Sequence, residues 1–223
     1  SDTGPCTLTL AGRQWMQATN AAMSGGHCFG FAATAADLFN NLLTPGQFQP
    51  GALQTYDLRL RDPISKEIAR NMASQYTFDV MKYKMSPRKI VSTLRAALTP
   101  GSMPFTLFIF WGGGGHAITP YALYDKGNGQ YDVAVYDNNY PDAARALRID
   151  TTRNTYEYLV MTTPDGTPDI ADKIIGLVPS DVIAATQSCP FCVASNNTTV
   201  QLSPVRSQVP IKTRITDLDG KKI

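Results

Sequence analysis

Cys28 follows Ser24-Gly25-Gly26-His27 and opens an apolar run that continues to Leu43. A thiol in the first turn of a helix lies among backbone N–H groups that lack intrahelical acceptors, at the positive end of the helix dipole, where a thiolate is stabilised. The two glycines let a bound carbonyl approach the backbone, and the N–H of Cys28 itself would face the oxyanion that forms when sulfur attacks. The chemistry on offer is nucleophilic acyl transfer. Taken alone, Cys28 reads equally well as a small apolar side chain starting a core helix, so the argument turns on its partners.

A thiol nucleophile needs a base, and the chain contains two histidines, His27 and His116. His27 adjoins Cys28 in sequence, but neighbouring side chains at a helix start diverge. His116 follows Trp111 and Gly112 to Gly115 and leads an apolar run to Tyr124, so it stands at the mouth of a strand where it can line a cleft; the alternative is a surface histidine of a hairpin.

Hairpin geometry supplies the third group. The runs His116 to Tyr124 and Tyr131 to Tyr136 are joined by Asp125 to Gln130, and the natural connections are a two-residue Gly127-Asn128 loop or a four-residue Lys126 to Gly129 loop. Either one sets Asp125 opposite Gln130 and Tyr124 opposite Tyr131, and counting on brings Ile118 opposite Asp137. His116 is then the diagonal neighbour of Asp137 on one face, about 7–8 Å away at the backbone, within reach of an imidazole–carboxylate hydrogen bond. A loop of odd length would hand that face to Asn138 or Tyr136. In such a triad the carboxylate fixes the histidine tautomer and stabilises the imidazolium.

The elements that must hold these residues are legible around them. At 223 residues, with 43% hydrophobic and 17% charged residues, the chain has the length and composition of one well-buried domain. Leu10 to Met23 carries Leu10, Trp15, Met16 and Ala18 at loosely helical spacing and reads as a short helix or turn. The run from Cys28 to Leu43 is apolar nearly all round, a buried helix ended by Pro45-Gly46. Asp62-Pro63 and Ser86-Pro87 each pair a capping side chain with proline at the first helical position, ahead of Ile64, Ile68 and Met72 in one case and Ile90, Val91, Leu94, Ala97 and Leu98 in the other. Beyond Pro100-Gly101 the texture becomes sheet-like: Phe105 to Trp111, His116 to Tyr124, Tyr131 to Tyr136 and Tyr156 to Met161. Helices first and strands second predict an α+β fold, a helical half packed on an antiparallel sheet. The loops Gln47 to Leu60 and Tyr140 to Ala146 are the expected borders of the cleft.

The order Cys, His, Asp, with GGHCFG at a helix start, HAITPYAL on a strand and VAVYDNNYP closing a hairpin, resembles the papain-like cysteine peptidases over roughly Gln14 to Ile149. The plant enzymes flank the cysteine with glycine, serine and tryptophan, place a glutamine six residues before it and use asparagine as orienter. Here position six before Cys28 is Ala22, and the orienter is aspartate, so the chain is more similar to the divergent bacterial branch related to the bacteriocin-processing peptidases. The resemblance implies a papain-like fold, with an N-terminal helical lobe carrying the cysteine helix and a sheet lobe carrying His and Asp. It further implies a thiolate–imidazolium pair at rest and hydrolysis of peptide or isopeptide bonds through a thioester. Cys28 would be the nucleophile, His116 the general base and then acid, and Asp137 the orienter. The oxyanion side chain would be Gln17, or Asn20 behind it, if the preceding segment folds back.

Residues 1–165 form the expected catalytic domain. Residues 166–223 form an extension with a possible helix at Asp169 to Ile174, a Cys189-Pro-Phe-Cys192 loop and strands at Thr198 to Leu202 and Val209 to Ile215, completing the sheet or leading into a further domain. Without a second CxxC or a nearby histidine, Cys189 and Cys192 do not suggest zinc, and their preferred reading is a structural disulfide of a secreted protein. Asp217-Leu-Asp219-Gly220 lacks the remaining ligands of a calcium loop and reads as a turn. No cofactor or metal is expected. The net charge of +2 is spread along the chain, which disfavours nucleic acid and anionic membrane as partners and leaves a peptide or protein substrate. The apolar stretches are too short to cross a bilayer, and both ends look like cuts in a longer polypeptide. Two rivals share these residues: a papain-fold acyl transferase or deamidase, transglutaminase-like or a toxin effector, and a non-catalytic binding module in which Cys28 is buried or paired with Cys6.

Overall fold

A computed structural model describes residues 8–99, 101–111, 114–158 and 174–191. Helices α1 (Leu10–Met23), α2 (Cys28–Phe39), α3 (Pro45–Phe48), α4 (Ile64–Ser74) and α5 (Pro87–Ala97) precede strands β1 (Phe105–Trp111), β2 (Gly114–Gly127), β3 (Gln130–Tyr136), β4 (Arg145–Asp150), β5 (Thr155–Glu157) and β6 (Ile174–Pro179), and a short α6 (Ser180–Ala184) follows. The strands form one antiparallel sheet in the order β5-β4-β3-β2-β1-β6, curled into a half-barrel with the helical region packed on it. This is the α+β segregation that the texture of the sequence predicts. Strand β6 completes the sheet beside β1, pairing Leu107 with Leu177, so chain from beyond position 165 belongs to it. Among the described residues no helix is long and apolar enough to cross a membrane.

The continuous apolar run of β1 follows from burial on both faces. Leu107 and Ile109 join Ile90, Val91 and Leu94 of α5, together with Val133, Val135, Leu147 and Ile149 of β3 and β4. Phe108 points the other way, into Phe29, Ala32 and Ala33 of α2 and Met72 of α4. Each such side chain contributes roughly 1.5–3 kcal/mol on full burial, so the sheet is clamped from both sides. Helix α5 is capped as expected, with Ser86 Oγ accepting from Lys89 N at 3.3 Å and Pro87 in the first turn.

Other elements depart from expectation for local reasons. The segment read as a short helix or turn is a 14-residue α1, and it buries Gly12, Thr19, Ala22 and Met23 while Leu10 and Met16 are exposed. Helix α2 stops at Phe39, four residues early, because Asn41 adopts a left-handed φ of 57°, which leaves Leu42 exposed. At α4 the capping position is Pro63, and Asp62 instead pairs with Lys66 at 3.0 Å on the surface. Strand β4 is not among the expected strands, although Leu147 and Ile149 alternate with exposed Arg148. Ile174, expected to end a helix, begins β6; the rest of that helix, the end of the Tyr156 to Met161 run, the two last expected strands, the Asp217 turn, Cys6 and Cys192 lie outside the described residues.

The β2–β3 hairpin reaches the expected register by another route. Its loop is Asn128-Gly129, both at positive φ (53° and 77°) as a type I′ turn demands, so Gly127 rather than Asp125 faces Gln130, and Asp125 faces Tyr131. Two bulges on β2 then shift the pairing by one residue each. The first follows Asp125; the second follows Pro120, which has no N–H to give to a ladder. Beyond them Thr119 faces Tyr136. The pairing that sets Ile118 opposite Asp137 is thereby restored.

Candidate active site

Helix α2 presents Cys28 as its first residue, with His27 in the capping position making no side-chain cap, so the first-turn N–H groups have no side-chain acceptor there. Close packing holds the helix in place. A Cβ on Gly30 would lie 2.1 Å from the Ile68 carbonyl oxygen, which is how nearly α2 and α4 touch. Thr119 Oγ1 of β2 donates to the Ala32 carbonyl at 2.9 Å, and Asn71 of α4 donates to Thr34 Oγ1 at 3.0 Å and Asp37 Oδ2 at 3.2 Å. Cys28 is a free, partly exposed thiol, which removes the Cys6–Cys28 bridge from consideration.

His116, opposite Ile109 of β1, is 4% exposed, and its Nε2 lies 2.8 Å from Asp137 Oδ1. An ionised carboxylate only accepts, so Nε2 donates and Nδ1 is left for the Cys28 thiol, which is near enough to act on the imidazole. Asp137 is 1% exposed. Its Oδ1 also accepts from the Asn139 N–H at 2.9 Å, and its Oδ2 accepts from the Tyr158 hydroxyl at 2.5 Å. The three residues named from sequence are therefore brought together, His116 bonded to Asp137 and sharing one cavity with Cys28.

The electrostatics follow from these contacts. Burial is the largest single influence on His116 and disfavours its charge, but the hydrogen bond to Asp137 and the nearness of Cys28 and Asp137 outweigh it, raising the pKa from 6.5 to about 9. Burial likewise pushes Asp137 up, and the bonds from His116, Tyr158 and the Asn139 backbone overcome it, holding the carboxyl below its usual range. Tyr158 is driven far up, by burial first and then by Asp137, so it remains a donor. The arrangement keeps an imidazolium facing sulfur at neutral pH.

A cavity of about 400 Å³ opens on Cys28 and His116, lined by Gly25–Cys28, Met72, Gln75, Tyr76, Phe108, Phe110, Trp111, Gly114–Ala117 and Asn138–Asn139, among other residues. The ring of Phe110 lies over Gly115, where a Cβ would approach within 2.5 Å of it; this is the physical use of a glycine immediately before His116. The loops expected to border the cleft, Gln47 to Leu60 and Tyr140 to Ala146, do not line it. Gln17 and Asn20 do not line it either: both are exposed on α1, whose buried stripe turns Thr19, Ala22 and Met23 inward instead. The polar side chains that do reach the cavity from the helical region include Gln75 and Tyr76, just past α4. The Gln75 amide nitrogen donates to the Met72 carbonyl at 3.0 Å, whereas the Tyr76 hydroxyl, its pKa pushed to about 12 by burial and then by the nearness of Cys28, stays protonated.

Tyr76 and Tyr158 were both missed from sequence. Neither carries a local signal, because each meets the site only through long-range packing. Cys189 is disulfide-bonded to a residue outside the described ones, and Phe191 beside it packs on Trp15 of α1 at a ring separation of 5.5 Å. No group of acidic, histidine and cysteine side chains among the described residues has the spacing of a metal site. Comparison with protein-family models, with characterised proteins and with solved structures finds no match for this chain.

Proposed function

We propose that the protein is a papain-like cysteine hydrolase that cleaves peptide or isopeptide bonds. The observation that carries this reading is the buried line from Asp137 through His116 to a free thiol at a helix N-terminus, facing a cavity. The division of labour between a helical lobe that carries the thiol and a sheet that carries imidazole and carboxylate supports the finer, papain-like description of the fold.

In the first step the Cys28 thiolate attacks the substrate carbonyl carbon. The oxyanion is met by the Cys28 backbone N–H and the Tyr76 hydroxyl. As the carbon–nitrogen bond breaks, the proton on His116 Nδ1 passes to the leaving amine, and a thioester remains. Because the pKa of His116 is about 9, the residue is already protonated at rest and acts first as an acid. Neutral after that transfer, it accepts a proton from water as the water attacks the thioester; the carbon–sulfur bond then breaks, returning thiolate and imidazolium and releasing a carboxylic acid that loses its proton to solvent. An amine in place of this water would make the same site a transferase.

The test uses the chain itself with a library of peptide amides carrying a fluorogenic leaving amine, and intact-mass analysis after brief exposure to iodoacetamide at pH 7. We expect a single adduct on Cys28 that abolishes amide hydrolysis, no turnover by Cys28→Ala, and a loss of about 10²–10⁴ in kcat/KM for His116→Ala. Turnover that survives Cys28→Ala would overturn the assignment of the nucleophile, and no turnover by wild type together with alkylation at the same rate in wild type and His116→Ala would overturn the reading in favour of a binding module.

A further inference from the structure

Asp137 is bonded more heavily than the orientation of one histidine requires. Oδ1 serves His116 and the Asn139 N–H, and among the described residues Oδ2 serves only Tyr158, a tyrosine 6% exposed that packs into the core on the α5 side of the sheet. Behind Tyr158 stands Arg145, the first residue of β4. Its guanidinium lies 5.6 Å from the centroid of that ring and stacks 4.1 Å over Tyr140, so its charge acts on the Tyr158 hydroxyl. A cation this close polarises the phenol and makes its O–H a stronger donor to the carboxylate.

We propose that Tyr158 and Arg145 are positioning residues of the site, an arm that locks one carboxylate oxygen onto His116 and keeps Asp137 ionised under acid conditions. The proposal rests on the reading of Cys28, His116 and Asp137 as a triad. Its physical basis is that a buried carboxylate remains charged only where donors satisfy both oxygens. The charged and titratable groups around Asp137 are His116 from β2, Tyr136 beside it on β3, Arg145 from β4 acting through Tyr158, Tyr158 after β5, and Cys28 from α2 acting through His116. Of these, Tyr158 alone donates to Oδ2 among the described residues. Removing it strips the oxygen that His116 does not use.

The experiment follows the carboxyl carbon of Asp137 by ¹³C NMR as pH is lowered, assigned by difference from Asp137→Asn, in wild type, Tyr158→Phe, Arg145→Met and Arg145→Lys. We expect the Asp137 midpoint to rise by about one pH unit in Tyr158→Phe, to rise less in Arg145→Met and to return toward wild type in Arg145→Lys. The acid limb of kcat/KM should move up with it, with kcat reduced and KM unchanged. An Asp137 midpoint equal to wild type in Tyr158→Phe overturns the proposal, even if that variant is less stable. Should Tyr158→Phe fail to fold, an unmoved midpoint in Arg145→Met overturns it instead. Because the NMR readout needs no substrate, an absence of hydrolysis by the wild type would refute the proposed function while leaving the arm to be judged separately.

Discussion

Replacing Asp137 by asparagine isolates charge from shape. The Asn139 N–H donates to Oδ1 at 2.9 Å, so the amide oxygen takes that position and the amide nitrogen falls where Oδ2 met the Tyr158 hydroxyl. His116 still finds an acceptor at Nε2 and keeps its tautomer; what it loses is the negative charge. Burial, the largest influence on it, is then opposed by Cys28 and a neutral carbonyl. A carboxylate at hydrogen-bond distance shifts a neighbour by about 1–3 pH units, and taking about 2 brings His116 from about 9 to about 7. At pH 8 the ratio of imidazolium to imidazole would change from about 10:1 to about 1:10.

The titration can be read by ¹⁵N NMR of the ring nitrogens, since the chain has two histidines and His27→Gln assigns them. A wild-type His116 that titrates near its ordinary value, or an Asp137→Asn midpoint within about half a unit of wild type, would refute the reasoning, because burial would then prevail or the charge would not matter. The same shift has a stability consequence. The folded pKa lies above the unfolded value of 6.5, so the contribution of His116 is fully present below about pH 6.5 and is lost as pH rises through about 9, amounting to about 3 kcal/mol. Urea unfolding at pH 6 and pH 10 should show that loss in wild type, and most of it should vanish in Asp137→Asn. The variant should also be weaker at all pH values by about 1–3 kcal/mol, from the donor now facing Tyr158.

Two further predictions concern the cavity and its scaffold. Tyr76→Phe should lower kcat by about 10- to 100-fold with KM nearly unchanged, because the hydroxyl serves the oxyanion and not the ground state; wild-type kcat would leave the Cys28 N–H as the working donor. Gly30→Ala sets a methyl against the Ile68 backbone, forcing α2 and α4 apart, and should reduce stability by about 2–3 kcal/mol in urea titration, an outcome that a wild-type midpoint would contradict.

The hairpin shows how far sequence reasoning reaches. Counting from a plain turn named Asp137 as the partner of His116, and the two do meet, but through an Asn128-Gly129 loop and two bulges whose shifts bring the pairing back. The Asn-Gly pair and the proline inside β2 were both available as signals: the first marks a type I′ turn, the second a residue that cannot serve a ladder. The polar lining of the cavity is the opposite case. Gln17 and Asn20 are near Cys28 in sequence but exposed on α1, whereas Tyr76, two residues past α4, lines the cavity with Cys28, where Gly30 lets α2 and α4 pack closely.

What the sequence determined by itself is whatever a few adjacent residues can specify. Ser86-Pro87 starts α5, the run Phe105–Trp111 forms a strand buried on both faces, glycines precede Cys28, and the residue types name a thiol, an imidazole and a carboxylate. Tertiary structure decided which side chains meet. That the helical half turns Tyr76 rather than Gln17 toward Cys28, and that Tyr158 and Arg145 stand behind Asp137, depends on strand pairings and helix contacts between distant segments. Local propensity is set by neighbours in the chain, but the burial and hydrogen bonds that tune a pKa are set by neighbours in space.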